Sequence, residues 1–456
     1  DGSVERNVVI TNKTPIGAYR GYGQPEVNFA YERLMDQLAR RLRMDPVELR
    51  ARNMVRPDEF PFVNPVGAVY DSGDYETCLR MAADAVGWRE HRQHRVVSAH
   101  GRRKGIGFSS YVERTGYAGA RFLAARGSDF GAHESVTIRG NRSGTLDLYT
   151  GVSSMGQGSE TVFAQMCAEF FGCDYDDVKV HAGDTASSPL NTGAFASRTV
   201  IAAAGAIQEA CEALREKTLR IAAHVLETES TDVLEVAGRT VRRRDEPDTA
   251  VPLAHIFNRA ILGQGLPPGE PPGMDATSYS DPLAAAYSFG TAAAVVSVDP
   301  ETGEFDLERL VMAHDCGTPV NPKLIDGQVR GGLAQGLGQA LGEELVYDKD
   351  TGQLVNGTMM DYFAPLLPDL PPIELLHTQV RSPVTVLGVR GAGEVGTIPV
   401  AAAVANAICD ALEDFGVELD RLPITPEVVW RTIHRTLPPR LVSSEARTPA
   451  KETGHG

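Results

Sequence analysis

The 456-residue sequence lacks the marks of membrane and nucleic-acid-binding proteins. No apolar run approaches the ~18 residues that a helix needs to cross a bilayer. No run of five or more basic residues occurs, and the formal net charge is −16, which argues against nucleic acid and anionic membranes as partners. The first ten residues, DGSVERNVVI, do not have the pattern of a signal peptide. We therefore expect a cytoplasmic protein with no membrane span and no nucleic-acid partner.

Cysteine is also scarce, and its spacing excludes several kinds of site. None of the six cysteines forms a CxxC pair, so neither a zinc ribbon nor a cysteine-ligated iron–sulfur cluster is predicted on this chain. Reduced, mostly buried thiols are the expectation. The nucleophile pattern GxSxG is absent as well, so a serine hydrolase is not indicated.

Glycine, in contrast, is abundant. There are 46 glycines in 456 residues, about one in ten against a usual ~7%, and they follow no collagen period. Such a sequence either has many turns or brings its backbone close to a bulky ligand.

The order of strand-like and helix-like segments predicts an α/β to α+β protein of two lobes with mixed sheets and packed helices. An opening strand at residues 8–11 precedes a helix at residues 26–43, with apolar Phe29, Leu34, Leu38 and Leu42 at helical spacing. Residues 113–132 are glycine-rich and predict an excursion from the scaffold. Residues 228–275 predict surface connections at a subdomain edge, and the last residues a mobile tail.

The segment GAGEVG at residues 391–396 is the motif most easily misread. It matches GxGxxG, follows an apolar stretch and opens a helix, as a dinucleotide fingerprint does. However, Glu394 would oppose a pyrophosphate, Pro399 delays the helix, and no second strand ending in an acid follows. The alternatives are glycines that clear space around one useful carboxylate, or an ordinary turn with an incidental glutamate.

Four further loops repeat the combination of glycines with a few polar side chains. They are AYRGYGQPE (residues 18–26), GVSSMGQGSE (151–160), NTGAFASRTV (191–200) and DGQVRGG (326–332). Any one of them is compatible with a tight turn. Together with the acidic loop, they predict a large ligand held by backbone groups from several sides.

This ordered set of motifs resembles the molybdenum-binding large subunit of the xanthine dehydrogenase / aldehyde oxidase family, from about residue 8 to residue 433. The resemblance implies a molybdenum–pyranopterin cofactor, extended to the cytosine dinucleotide. Its dithiolene holds the metal, so no side chain is a direct metal ligand. It also implies domains at residues 1–104 (the end of a first cofactor domain, with the substrate-pocket loop), 105–440 (a second cofactor domain, with a subdomain edge near 228–275) and a tail at 441–456.

The resemblance assigns roles to individual residues. Glu394 matches the general base, Gln328 a group near the metal, and Arg20 an arginine near the substrate; these are the implied catalytic residues. The implied substrate pocket is formed by Arg20, Tyr22 and Tyr117. The implied cofactor-binding residues are Gly21, Gly156, Gln157, Gly158, Ala196, Ser197, Arg198, Thr199, Gln328, Gly391 and Gly393. Family members commonly have Gly-Ser-Arg-Ser where this chain has Ala-Ser-Arg-Thr.

The implied activity is hydroxylation of an electron-poor carbon in an N-heterocycle, aldehyde or aryl substrate, with oxygen from water. The implied partners are an N-terminal half on a separate chain, an iron–sulfur subunit and an FAD subunit, with no iron–sulfur cluster or flavin on this chain. A carbon monoxide dehydrogenase is disfavoured because Gly21 stands where its copper-holding cysteine would be. A non-catalytic half that completes a partner's site and an NAD-binding enzyme remain as alternatives.

Two other segments have more than one interpretation. Residues 111–117, with Glu113 and Arg114, either line a substrate funnel or form an exposed loop. His314, Asp315 and Cys316 are predicted to end a buried strand, with the histidine and aspartate hydrogen-bonded locally rather than binding a metal.

Overall fold

The computed structural model describes residues 5, 7, 9–11, 13–98, 100–117, 119–125, 127–129 and 131–436. The expected tail at residues 441–456 lies outside the described residues. Of the expected opening strand at 8–11, residues 9–11 are described and are not in a strand, since no described strand pairs with them.

The described helices are α1 (Gln24–Leu42), α2 (Pro46–Asn53), α3 (Tyr75–Ala85), α4 (Trp88–Gln93), α5 (Gly119–Ala124), α6 (Ser159–Phe171), α7 (Thr199–Val225), α8 (Leu253–Leu262), α9 (Pro322–Leu341), α10 (Val400–Ala411) and α11 (Pro426–Thr436).

The described strands are β1 (Phe62–Val63), β2 (Val69–Tyr70), β3 (Arg103–Thr115), β4 (Glu134–Gly140), β5 (Leu146–Thr150), β6 (Val178–Ala182), β7 (Leu234–Ala237), β8 (Thr240–Arg243), β9 (Ala250–Pro252), β10 (Asp275–Ser280), β11 (Ala286–Val298), β12 (Phe305–Asp315) and β13 (Ile373–Thr378).

One lobe is built on the sheet β10-β4-β5-β6, in which β5 and β6 run parallel and the other pairs antiparallel. Alternation along β5 buries Leu146 and Leu148 and leaves Asp147 and Tyr149 half-buried. The buried faces of α6 and α7 close over this sheet and share one hydrophobic core with it.

The other lobe is built on the sheet β13-β12-β11-β3, which is covered on both faces. Side chains of β11 alternate between two cores: Ala292 and Ala294 face the core that contains α9 and α10, whereas Phe289 and Ala293 face the one that contains α3. Because both faces are covered, nearly all of β11 is buried. The two lobes confirm the predicted mixed α and β architecture.

Glycines allow helix α10 to lie directly on strand β3. A Cβ on Gly107 would come within 2.6 Å of the Asn406 carbonyl carbon, and one on Gly105 within 2.7 Å of Ala411 Cβ. No side chain larger than a hydrogen atom fits at these two positions. These glycines are therefore needed for the packing of α10 on β3.

Several segments differ from the sequence-based expectations. The first residues of the segment 113–132 belong to the long strand β3 and not to an excursion. In this strand Tyr111 and Glu113 are buried and the residue between them is half-buried. Residues 228–275 contain the small sheet β7-β8-β9 and helix α8. Helix α1 buries a polar face and exposes the predicted apolar one, with Leu34 62% and Leu42 55% exposed. Among the described residues, no helix is long and apolar enough to cross a membrane.

Candidate active site

The acidic loop at residues 391–396 lies between the two lobes' helices. Arg390 anchors its start: this buried guanidinium donates to Ser72 O (3.1 Å) and Tyr287 O and faces Asp71 at 3.4 Å. Ser288 Oγ donates to Gly391 O, and Arg390 N donates to Cys316 O at 2.8 Å. The loop is therefore fixed by the ends of β11 and β12 before it reaches α10.

The glycines of this loop make room mainly for protein. A Cβ on Gly391 would overlap the Ser197 carbonyl oxygen and Cβ, and one on Gly396 would lie 2.8 Å from Leu333 N. The loop is preceded by a 3₁₀ turn at Val386–Gly388 rather than a strand, and in the described residues 412–436 no strand follows α10. These contacts disfavour the dinucleotide interpretation, which requires a strand, a glycine turn and backbone open to a pyrophosphate.

Arg20 connects the acidic loop to helix α9. Its Nε donates to Gly393 O (2.5 Å), its Nη1 to Gln335 Oε1 (3.0 Å), and its Nη2 to both Gln328 O (2.8 Å) and Gln328 Oε1 (3.3 Å). Burial lowers the pKa of Arg20, and the nearby Tyr19, Glu394 and Glu113 oppose this shift. Arg20 and Gln328, distant in sequence, are thus brought together beside Glu394.

Ser197 stands between two glutamates. Its Oγ donates to Glu113 Oε1 at 2.7 Å and lies 3.4 Å from Glu394 Oε2. Glu113 is fully buried on β3, whereas Glu394 is half-buried. Burial raises the pKa of the Glu113 carboxyl well above its ordinary value, and Glu394 raises it further, while the bond from Ser197 and the charge of Arg20 oppose the rise.

Backbone strain is concentrated around these carboxyls. Seven non-glycine residues have a positive φ among the described residues, and four of them are Tyr22, Tyr117, Ala196 and Ser197. Burial raises the pKa of Tyr117, Arg114 opposes this shift, and Glu394 and Tyr22 add to it. Strained backbone of this kind often occurs at functional sites.

Two helices begin beside this region without a side-chain cap. Helix α6 follows Gly158 and α7 follows Arg198, and neither N-cap side chain bonds the helix start. The Ser159 hydroxyl is buried and has no hydrogen-bond partner among the described residues. Such helix starts present free N–H groups to an anion.

The other predicted cofactor residues differ in what they face. A Cβ on Gly156 would meet open space, whereas one on Gly158 or Gly21 would press on Leu324 or Pro25, at 2.7 and 2.8 Å. The Gln157 amide is folded onto its own loop, where its Oε1 accepts from Met155 N and its Nε2 lies 3.4 Å from Ser153 O.

Arg198 points into the protein interior. Its guanidinium is fully buried, pairs with Glu134 and donates to Gly193 O (2.7 Å) and Ala132 O (2.5 Å). Its side chain therefore shapes the loop that carries Ala196 and Ser197, and Thr199 begins α7 directly after it.

The sequence did not predict that Glu113 lies beside Glu394. An exposed loop was one of the two interpretations of its segment. The alternation in RKGIGFSSYVERT puts Glu113 on the same strand face as Tyr111, and this signal could have identified it. The local hydrogen bonding expected of His314 is wrong: both ring nitrogens lack a partner among the described residues, and burial lowers its pKa to about 3. Its ring packs edge-on against His377 instead.

Comparison with known proteins places this geometry in a family. Two models described as "Molybdopterin cofactor-binding domain" match residues 2–54 and 81–371. The nicotine 6-hydroxylase large subunit of Paenarthrobacter nicotinovorans is 35% identical over 430 residues, which are 92% of this chain and 51% of that protein. The carbon monoxide dehydrogenase large chain of Hydrogenophaga pseudoflava is 35% identical over 434 residues, 93% of this chain and 53% of that one.

The fold agrees with these matches. The crystal structure of quinoline 2-oxidoreductase from Pseudomonas putida 86 superimposes with a TM-score of 0.86 at 37% identity, covering 93% of this chain and 54% of that one. The chain spans about half the length of the curated relatives it matches. It belongs to the family of molybdopterin cofactor-binding domains found in molybdenum-binding large subunits of the xanthine dehydrogenase type, as its motifs predicted.

Proposed function

We propose that this member of the molybdopterin cofactor-binding family forms the base-bearing part of a molybdenum hydroxylase. The enzyme would oxidise an electron-poor carbon of a small molecule, with the oxygen taken from water. The main observation that supports this proposal is the position of Glu394. It is a half-buried carboxylate on a loop fixed by Arg390 and Arg20 and flanked by strained residues, as a general base requires.

The residues present fit the cofactor that the family implies. In the described residues, no three His, Cys, Asp or Glu side chains are grouped to hold a metal, which suits a metal carried by its own dithiolene. The uncapped starts of α6 and α7 and the unpartnered Ser159 hydroxyl suit a phosphorylated pterin. We propose that Gly156, Gln157 and Gly158 with α6, Ala196, Ser197 and Thr199 with α7, Gly391 and Gly393 of the acidic loop, and Gln328 on α9 hold it. The cytosine dinucleotide form is part of this proposal.

The bound group would supply the two-electron chemistry and the site at which water is activated. Glu394 would take the proton released there, since it is the carboxylate with access to solvent. Arg20 would keep this carboxylate in place, because its Nε bonds Gly393 O in the acidic loop while Nη1 and Nη2 bond Gln335 and Gln328 on α9. Tyr22, 62% exposed, and Tyr117 would contact the substrate ring.

The relatives favour an N-heterocycle as the substrate. One is named for nicotine and one for quinoline. Carbon monoxide is disfavoured by Gly21, because its φ is +94° and a Cβ there would lie 2.8 Å from the Pro25 ring, so a copper-holding cysteine is opposed at this position. We further propose a cytoplasmic complex with iron–sulfur and FAD subunits, because all six cysteines of this chain are free.

The remainder of a full-length large subunit, on another chain or another part of this one, needs a surface to contact. We propose the exposed stripe of α1 for this contact. Val27, Leu34, Leu38 and Leu42 are 43–63% exposed along one side of this helix.

The test is Glu394→Gln in the purified complex. Turnover of an N-heterocycle should fall by several orders of magnitude, about 10³ or more, while molybdenum content is unchanged. Glu301→Gln, on the exposed turn between β11 and β12, removes the same charge far from the site and serves as the control. Near-normal turnover of Glu394→Gln would favour a non-catalytic half, and a complex free of molybdenum would contradict the cofactor assignment.

A further inference from the structure

A second glutamate, Glu113, lies beside the proposed base Glu394. The proposed function gives it no role. Glu113 is fully buried, and its Oε2 has no hydrogen-bond donor among the described residues. Neither Glu113 nor Glu394 forms an ion pair within the part of the chain that the structure describes. An ionised carboxylate in such a position would be an uncompensated buried charge, which is strongly unfavourable.

The contacts of Glu113 indicate which oxygen would carry a proton. Oε1 accepts the hydroxyl of Ser197 at 2.7 Å, which leaves the unpartnered Oε2 as the oxygen available to carry a proton. The Glu113 and Glu394 carboxyls are neighbours on the same hydroxyl, since Ser197 Oγ lies 2.7 Å from Glu113 Oε1 and 3.4 Å from Glu394 Oε2. Two carboxyls in contact attract each other only when one proton is shared between them.

The charged and titratable groups around Glu113 do not replace this proton. Arg20 is the nearest cation, but its nitrogens bond Gly393, Gln335 and Gln328. Tyr111 on β3 and Tyr117 after it are neutral phenols whose pKa burial raises further. Glu394 is the facing acid.

We infer that Glu113 is a positioning residue that stays protonated at neutral pH and donates through Oε2 to the Glu394 carboxylate. Ser197 completes the arrangement by donating to Glu113 Oε1. This inference rests on the proposed role of Glu394 as the base. A neutral, hydrogen-bonded neighbour fixes the orientation of the base without adding a second negative charge beside it.

The first test is the pH profile of kcat/KM for the holoenzyme and two variants. Glu113→Gln keeps a neutral donor of the same shape, so the acid midpoint of the profile should stay within about half a pH unit of wild type. Glu113→Leu removes the donor and should lower kcat at least about tenfold with less change in KM. If Glu113 instead carries a charge, Glu113→Gln moves the acid midpoint down by about one unit or more, which overturns the inference.

The second test does not depend on activity. The infrared spectrum of the complex near neutral pH should contain the carbonyl band of a protonated carboxyl that disappears in Glu113→Gln and persists in Glu301→Gln. A spectrum in which Glu113→Gln removes no such band overturns the inference. If Glu113→Gln does not assemble, Ser197→Ala is the substitute, and the band should shift in frequency because Oε1 loses its donor. An unshifted band contradicts the arrangement.

These outcomes are separable from failure of the proposed function. If Glu394→Gln abolishes turnover but Glu113→Gln lowers the acid midpoint, only the role of Glu113 is wrong. If Glu394→Gln turns over normally, the base assignment fails, while the infrared band still reports whether Glu113 holds a proton.

Discussion

Two pairs of neighbouring acids in this protein have opposite surroundings. Glu32 and Asp36 on α1 share the cation of Arg50 on α2, whose Nε donates to Glu32 Oε2 (2.7 Å) and whose Nη1 donates to Asp36 Oδ1 (3.0 Å). Glu113 and Glu394 flank the hydroxyl of Ser197, and within the described part of the chain neither forms an ion pair. Both pairs lie against β3, since Ser110 N donates to Glu32 Oε1 at 3.1 Å.

The difference separates a structural acid cluster from a chemical one. Arg50 also donates to Phe108 O at 3.2 Å, so the paired cluster fixes α1 and α2 to β3 and its charges offset each other. The unpaired carboxyls can bind or release a proton without breaking an ion pair. A perturbed acid without a cation partner is the arrangement expected at a site of proton transfer.

Removing the cation should have the largest effect on stability. Arg50→Met leaves Glu32 and Asp36 as unpaired buried charges and should lower the free energy of unfolding by about 3–5 kcal/mol, measured by urea unfolding of the purified protein. The triple variant Glu32→Gln, Asp36→Asn, Arg50→Met should recover part of the loss. A single variant as stable as wild type would mean that the cluster is not held by charge.

Adding a methyl group at Gly391, where the loop packs against Ser197, should have the next largest effect, which is a loss of turnover. Gly391→Ala pushes the acidic loop away from Ser197, and a displacement of about 1 Å should cost about 100-fold in activity per bound molybdenum. Gly17→Ala, outside the proposed cofactor residues, is the control, because its Cβ would have no heavy atom within 4 Å. Equal losses in the two variants would show that packing at Gly391 does not set the position of the base.

Removing the shared hydroxyl tests the unpaired cluster directly. Ser197→Ala leaves both carboxyls in place but removes one hydrogen bond, so we expect about a tenfold loss in kcat. The activity assay at saturating substrate measures this. Wild-type kcat in this variant would mean that the hydroxyl does not couple Glu113 to the base.

The smallest expected effect is a pH dependence of stability. Because burial raises the pKa of Glu113 in the folded protein, the folded state keeps a proton that the unfolded chain loses above a glutamate's ordinary pKa. The stability that Glu113 contributes is therefore full in mild acid and falls as the pH rises.

Glu113→Gln cannot lose a proton, so its stability relative to wild type should increase from mild acid to neutral pH. Thermal unfolding at both pH values should show a change of about 1–2 kcal/mol. Glu301→Gln, on the exposed turn between β11 and β12, should show no such gain. If Glu113→Gln instead loses stability relative to wild type toward neutral pH, the pKa of Glu113 is not raised in the folded protein.

Local sequence patterns predicted helices and strands better than they predicted which face of an element is buried. An aspartate followed by proline, as at Asp45 and Pro46, is typical of a helix start, and α2 begins there with the aspartate accepting from Val47 N at 2.7 Å. The alternation of apolar and polar residues in β4 and β5 is likewise typical of half-buried strands. The apolar spacing of α1 predicted a helix correctly but not which face is buried, because the charges of Glu32 and Arg33 are satisfied by Arg50 and by Glu418 of distant segments.

The sequence by itself determined the mixed α and β content, the family and the identity of a lone acid in a glycine loop, because these depend on local patterns and ordered motifs. Only the tertiary structure decided which glycines face protein and that Arg198 is buried with Glu134. It alone also brought Glu113 and Ser197 to Glu394 across 281 and 197 positions of chain, respectively. Burial and the partners of a charge arise from contacts between distant segments, and no local pattern encodes them.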